Sequence, residues 1–236
     1  MMKNHTQYIL GTLLTIIAYN SFISASAESD VWVQEEIPAH IIAYLKNHEV
    51  DIELRTALDA LFSRPEVYRP LALIYTETNK HRAKRLLAQE GFIFSSRKTH
   101  VFQHISFPQY IFKIGKITGS KREIKCANRI RMAEIIRETA AQLNYKITTP
   151  QKYCYFPNQD LRYPLPQIII LAEKIDLHEM DKRLTEKQKR ECKIIQELTH
   201  IVDLALGKNI NTVSLHGTVY IIDTEEELAR VSYSHE

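Results

Sequence analysis

Cysteine is scarce in this chain of 236 residues, with Cys126, Cys154 and Cys192 the whole supply. Three cysteines cannot build a disulfide scaffold, and in an oxidising compartment two at most pair, leaving one thiol over. They lie far apart and no His or Cys stands near them at ligand spacing, so no zinc site is indicated. They are expected to be small buried hydrophobes, and the sequence leaves open whether any two of them bond. Charge of one sign is lacking too: 31 Lys and Arg stand against 28 Asp and Glu, a formal +3 of which Lys3 supplies one unit. So small an imbalance makes no field strong enough to recruit nucleic acid or an acidic membrane, and nucleic acid is not an expected partner. No run after residue 27 is apolar and long enough to span a bilayer. With 44% hydrophobic and 25% charged residues and no low-complexity tract, the rest of the composition is that of a globular chain.

The first 27 residues differ from everything after them. A polar start with Lys3 leads into ILGTLLTIIAYNSFI, an apolar run interrupted by Asn20 and Ser21, and ends at Ala25-Ser26-Ala27. That is the pattern of a secretory signal, with cleavage expected between Ala27 and Glu28. The product, residues 28–236, is expected to be exported to a periplasmic or extracellular space with no membrane span left.

Residues 28–91 read as a helical region. Pro38 suits the first turn of a helix carrying Ile41, Ile42 and Leu45, and Asp51 precedes a second with Leu54, Leu58, Leu61 and Phe62 at helical spacing. Pro65 and Pro70 read as punctuation after it. A third helix is expected from Asn79 as its cap, through Ala83, Leu86 and Leu87, to Gly91 as its left-handed stop. Its run of Lys80, His81, Arg82, Lys84 and Arg85 reads first as a solvated face and second as a polyanion-binding patch.

From Phe92 to Glu236 the texture is α+β. The runs FIFSS, HVFQHIS, QYIFKIG, KYCYF and QIIILAEKI are aromatic and β-branched, which predicts a small, mainly antiparallel sheet. Between them a helix is expected from about Lys121 to Leu143, its stripe made by Cys126, Ile130, Ala133, Ile136, Ala140 and Leu143. A longer helix should open on a capping box of Thr185 and Gln188, bury Ile194, Ile195, Leu198, Ile201, Val202 and Ala205, and stop at Gly207. A hairpin turning at His216 and Gly217 follows. His100 and His104 share a face of their strand, and with no third ligand beside them they are expected to be ordinary, partly buried histidines.

This order and the residues at its joints, over about residues 92–225, resemble the core of the protein-kinase-like fold shared by protein kinases and aminoglycoside phosphotransferases. The resemblance implies Lys113 of YIFKI as the phosphate-binding lysine and Glu173 of IIILAEKID as the entry to a nucleotide-binding hinge. It further implies Asp203 in VDLALGKNI as the catalytic base, with Asn209 and, in GTVYIIDTE, Asp223 as magnesium ligands. An ammonium and a divalent cation offset phosphate charge, and carboxylate and amide oxygens are the hard ligands magnesium takes.

Several residues depart from that pattern. Residues 92–114 contain no glycine to wrap phosphates, and Asp203 and Asn209 are one residue further apart than HRDxxxxN allows. His200 stands out of place ahead of Asp203. On the helix from Lys121, Glu134 and Glu138 fall off the apolar stripe while Arg129 falls near it, so the lysine's acidic partner is not evident. Only 13 residues follow Asp223, which leaves no room for a full lower lobe. Each residue also has a plainer reading. Lys113 alternates with the apolar face of its strand and so points to solvent; Asp203 is exposed near a helix end; Asn209 is a turn residue; Asp223 precedes a capping box of Thr224 and Glu227.

The function expected is that of an exported, catalytically degenerate kinase-like protein, a pseudokinase, that binds a protein partner. The rival is a small exported phosphotransferase using ATP and magnesium, disfavoured because a compartment beyond the membrane holds little ATP. An unrelated exported α+β protein is the third reading. Whether the chain is an enzyme is left open.

Overall fold

Asp51 shows how this chain starts a helix: its carboxylate accepts the Leu54 N–H at 2.8 Å, satisfying one of the donors every helix start leaves over. The computed structural model describes residues 37–94, 100–115, 122–158, 163–176, 183–200 and 212–222. The expected signal at 1–27 therefore lies outside the described residues. Four helices come first: α1 (Ala39–Lys46), α2 (Ile52–Phe62), α3 (Pro65–Tyr75) and α4 (Lys80–Gln89). Helix α3 corrects the reading of Pro65 and Pro70 as punctuation. Pro65 takes the first helical position, where a missing N–H removes no bond, and Pro70 stands inside the helix, buried on one stripe with Val67, Leu71 and Ile74. Helix α4 starts where expected, but Asn79 is left-handed at φ 49° and its side chain caps nothing.

Five strands form one antiparallel sheet: β1 (Phe92–Phe94), β2 (Val101–His104), β3 (Tyr110–Ile114), β5 (Lys152–Tyr155) and β6 (Ile169–Glu173), in the order β1-β2-β3-β6-β5. The chain between α1 and α2 lies along the outer edge of β5, where the Cys154 N–H donates to the His48 carbonyl and Val50 N–H to the Cys154 carbonyl. That covers an edge which would otherwise be open to further pairing. Helix α5 (Arg122–Gln142) joins β3 to β4 (Ile147–Thr148), a strand the sequence did not announce. Strand β4 pairs in parallel with β8 (Thr218–Ile221), which also pairs with β7 (Thr212–Leu215). The fold is α+β.

Period-two alternation gives the larger sheet two different faces. Phe92, Phe102, Phe112, Ile114, Tyr155, Ile169 and Leu171 point to the first, against Leu58, Phe62, Leu71 and Leu87 of the helical region, in one continuous core. The rings of Phe102 and Phe112 stack at 5.5 Å, and Phe62 meets Phe112 edge-on at 6.3 Å. Cys154, Ile168 and Ile170 point to the second face, against Ala127 and Ile130 of α5 and Leu45 of α1. Further along, Met132, Ile136 and Ala140 turn to Ile147, Val219, Ile221 and the residues of α6 (Glu186–Thr199). Helix α5 thus serves both sheets. Leu143, expected on its stripe, lies one residue past the helix end and is 37% exposed.

The capping box of α6 is present as read, with Thr185 Oγ accepting the Gln188 N–H and Gln188 Oε1 accepting the Thr185 N–H. Its apolar face differs from expectation. Cys192 and Ile195 are buried, whereas Ile194 is 37% and Leu198 57% exposed, and the helix stops at Thr199 with His200 left-handed at φ 53°. The buried stripe runs Cys192, Ile195, Thr199, a phase that turns Ile194 and Leu198 away from α5. Ile201, Val202, Ala205 and Gly207 lie outside the described residues. The hairpin turns at His216 and Gly217, both at positive φ, as a right-twisted two-residue turn requires.

Cys154 and Cys192 are buried thiols, as expected; Cys154 donates to the Leu45 carbonyl, and burial pushes the Cys192 thiol up to about 12. His104 is buried and neutral. Its Nε2–H donates to the Glu90 carbonyl at 2.9 Å and its Nδ1 accepts the Ser106 N–H at 3.1 Å, so both ring nitrogens are used without a second proton. Burial, with help from Arg64, holds its pKa below the ordinary 6.5. The unfolded chain therefore binds the proton first as pH falls. Stability contributed by this group is complete above about pH 6.5 and declines as pH drops from there to the folded-state value. Thermal melts across that range should show the decline in the native protein and a smaller one in His104→Gln; equal slopes would disprove the assignment.

Candidate functional site

The second face of the larger sheet carries two lysines. Lys113 alternates with Phe112 and Ile114 on β3, and Lys152 alternates with Tyr153 on β5, so both project to the side that α5 covers. Lys113 pairs across the ladder with Ile170, which pairs with Cys154, two residues beyond Lys152. Both are buried, at 9% and 2% exposure, which corrects the reading of Lys113 as a solvent-facing lysine. The strand is central, between β2 and β6, so both of its edges are paired. Lys152 Nζ donates to the Ile222 carbonyl at 3.3 Å. It thereby ties the end of the second sheet to the Lys113 face of the first, at the residue next to Asp223. Asp223 itself, with Asp203 and Asn209, lies outside the described residues.

Glu173 is not brought to Lys113. It ends β6 opposite Tyr110 and shares the first face with Leu171. Tyr153 donates to Glu173 Oε1 at 3.4 Å, and the Tyr110 and Tyr153 rings meet edge-on at 6.1 Å. Burial raises both phenols above their ordinary range, and the Glu173 charge adds to it. Its main chain is held by the Gln151 carbonyl, and that of Lys174 by the Gln109 carbonyl.

Glu134 is the carboxylate that α5 holds nearest the middle of its length, and α1 engages it. Tyr44 donates its phenol to Glu134 Oε2, and His48 Nε2 lies 3.4 Å from Oε1. The Tyr44 and His48 rings are 4.8 Å apart. Burial pushes the Tyr44 phenol well above its usual range, and the hydrogen bond and charge of Glu134 push it the same way. Sequence reasoning missed this pair because Tyr44 and Glu134 are 90 residues apart, and nothing local marks either as a partner of the other.

The start of α6 is fastened to the hairpin by one amide. Gln188 Nε2 donates to Ser214 Oγ at 3.0 Å and to the Gly217 carbonyl at 3.2 Å, while its Oε1 serves the capping box. The capping box was legible in the sequence; that its amide also orients the β7–β8 hairpin was not. Among the described residues no group of three or more His, Cys, Asp or Glu could hold a metal ion, and no helix is long and apolar enough to cross a membrane. Comparison of the chain with protein-family models, with curated proteins and with solved structures finds no match.

Proposed function

We propose that this is an exported protein with a kinase-like core that acts by binding a protein partner and does not transfer phosphate. One observation carries the second half of the reading. Glu134, one of the two carboxylates on α5 that could serve a phosphate-binding lysine, is engaged by Tyr44 and His48 of the helical region. The absence of glycine from residues 92–114 supports it, since no backbone loop there can approach phosphates closely. Kinase likeness itself is supported by a buried lysine on the middle strand of a five-stranded antiparallel sheet, with a helix crossing over to the last two strands. Export to a compartment holding little ATP agrees with a binding role.

A phosphotransferase is the second reading, favoured by the Lys152 contact that draws the residue before Asp223 toward the face of Lys113. Nucleotide separates the two. A site working at a hundredfold excess of ligand over its dissociation constant would stabilise the fold by about 2.7 kcal/mol. The purified protein is expected to show little or no shift in melting temperature with ATP and magnesium. A magnesium-dependent shift abolished by Asp223→Asn and by Lys113→Ala would replace the binding reading with the phosphotransferase. If a shift survived both substitutions, nucleotide would bind elsewhere and neither role for these residues would stand.

A further inference from the structure

The exposed face of α4 has a charge pattern that helix stability does not explain. Its sequence, KHRAKRLLAQ, holds Lys80, His81, Arg82, Lys84 and Arg85 and no acidic residue. Ala83 and Leu87 are the buried side, so His81, Arg82 and Arg85 point away from the core and stand exposed, with Lys80 and Lys84 half-buried on the flank. The first turn carries Lys80, His81 and Arg82 at the positive end of the helix dipole, with no acid beside them and no side-chain cap from Asn79. A helix selected for stability places its cations in the last turn, where this one has none. Of the two acids that bracket it, Glu77 and Glu90, the second is bound by Arg64. Neither Arg82 nor Arg85 has an ion pair among the described residues.

We infer that this face is an interaction surface for an acidic segment of a partner protein, a stretch of Asp and Glu read by Arg82 and Arg85 with His81 and Lys80 at the margins. Guanidinium groups three positions apart lie on one side of the helix and form charge-assisted, two-pronged bonds with carboxylates. A membrane fits less well. The apolar side of α4 is already committed to the core, leaving only Leu86, 36% exposed, to enter lipid. Nucleic acid fits less well too, because the chain's net charge is only +3 and the basic run is confined to one helix of ten residues.

The inference rests on the reading that the protein works by binding, yet the two fail separately: a nucleotide shift would remove that reading and leave this surface as it is. The test is fluorescence anisotropy of the purified protein with a labelled oligoglutamate peptide, with phosphatidylserine vesicles and a single-stranded oligonucleotide as rivals. Oligoglutamate is expected to bind, to weaken as salt is raised, and to bind about tenfold more weakly to the Arg82→Gln/Arg85→Gln variant. Both positions are exposed, so the variant should melt like the native protein, and Arg82→Lys/Arg85→Lys should recover part of the affinity. No binding of oligoglutamate, binding unchanged by the double substitution, or tighter binding to vesicles or oligonucleotide would each overturn it.

Discussion

Phe112→Ala is expected to lower the stability of the protein by about 3–5 kcal/mol, the range for emptying a fully buried aromatic site. Phe112 has no exposure at all, stacks on Phe102 at 5.5 Å, and meets Phe62 and Phe107 edge-on at 6.3 Å and 6.1 Å. Its neighbours cannot close the space, because Phe102 and Phe62 are themselves held by Phe92 and Tyr155. Removing the ring also loses aromatic contacts worth about 0.5–1.5 kcal/mol beyond the area they bury. A domain this size is stable by only about 5–15 kcal/mol, so the substitution takes a large share of it. Urea unfolding is the measurement, and a loss under about 1.5 kcal/mol would mean that the cluster around β3 is not packed as described. Lys113 is the next residue on the strand. Hydrogen exchange at β3 should therefore accelerate in the variant, which tests whether the lysine is held in place by the core on the other face of its own strand.

The parts of this fold that sequence made legible are those decided within a turn or a strand. The helix start after Asp51, the Thr185–Gln188 box and the His216–Gly217 turn each depend on residues at most three apart, and each is present as read. The aromatic runs became strands because ring and β-branched side chains suit a surface packed on at least one side. Errors came where packing outvoted local pattern. Pro65 and Pro70 looked like breaks, but Pro65 begins the helix and Pro70 is buried on its apolar stripe. Ile194 and Leu198 looked like core, but the contact with α5 is made by Cys192 and Ile195, and the phase of the helix then puts the other two outside. The candidate site was legible only in its first element. Strand alternation put Lys113 opposite Phe112 and Ile114, but could not say what covers that side; α5 does, and the lysine is buried. Lys152 and Tyr44 were invisible as site residues, since their contacts, with Ile222 and Glu134, span 70 and 90 positions of chain.

Gly91→Ala should cost about 2 kcal/mol, from two causes that a second substitution separates. Gly91 ends α4 at φ +89°, a backbone state open to glycine and strained for any residue with a β-carbon, which accounts for about 1 kcal/mol. The rest is steric. A β-carbon there would lie 2.7 Å from Ile105 Cγ1 and 2.8 Å from its Cδ1, while the His104 ring nitrogen is 3.3 Å away. Ile105 is 65% exposed and can swing toward water, whereas His104 is fixed by the Glu90 carbonyl and the Ser106 N–H. The clash is thus the part that gives way. In an Ile105→Ala background, where the isoleucine branch is gone, Gly91→Ala is expected to cost only about 1 kcal/mol, the backbone share. Four urea unfolding curves close this cycle. If the cost is the same in both backgrounds, backbone strain accounts for all of it; if it vanishes once Ile105 is shortened, the left-handed stop carries no strain and α4 ends by some other means.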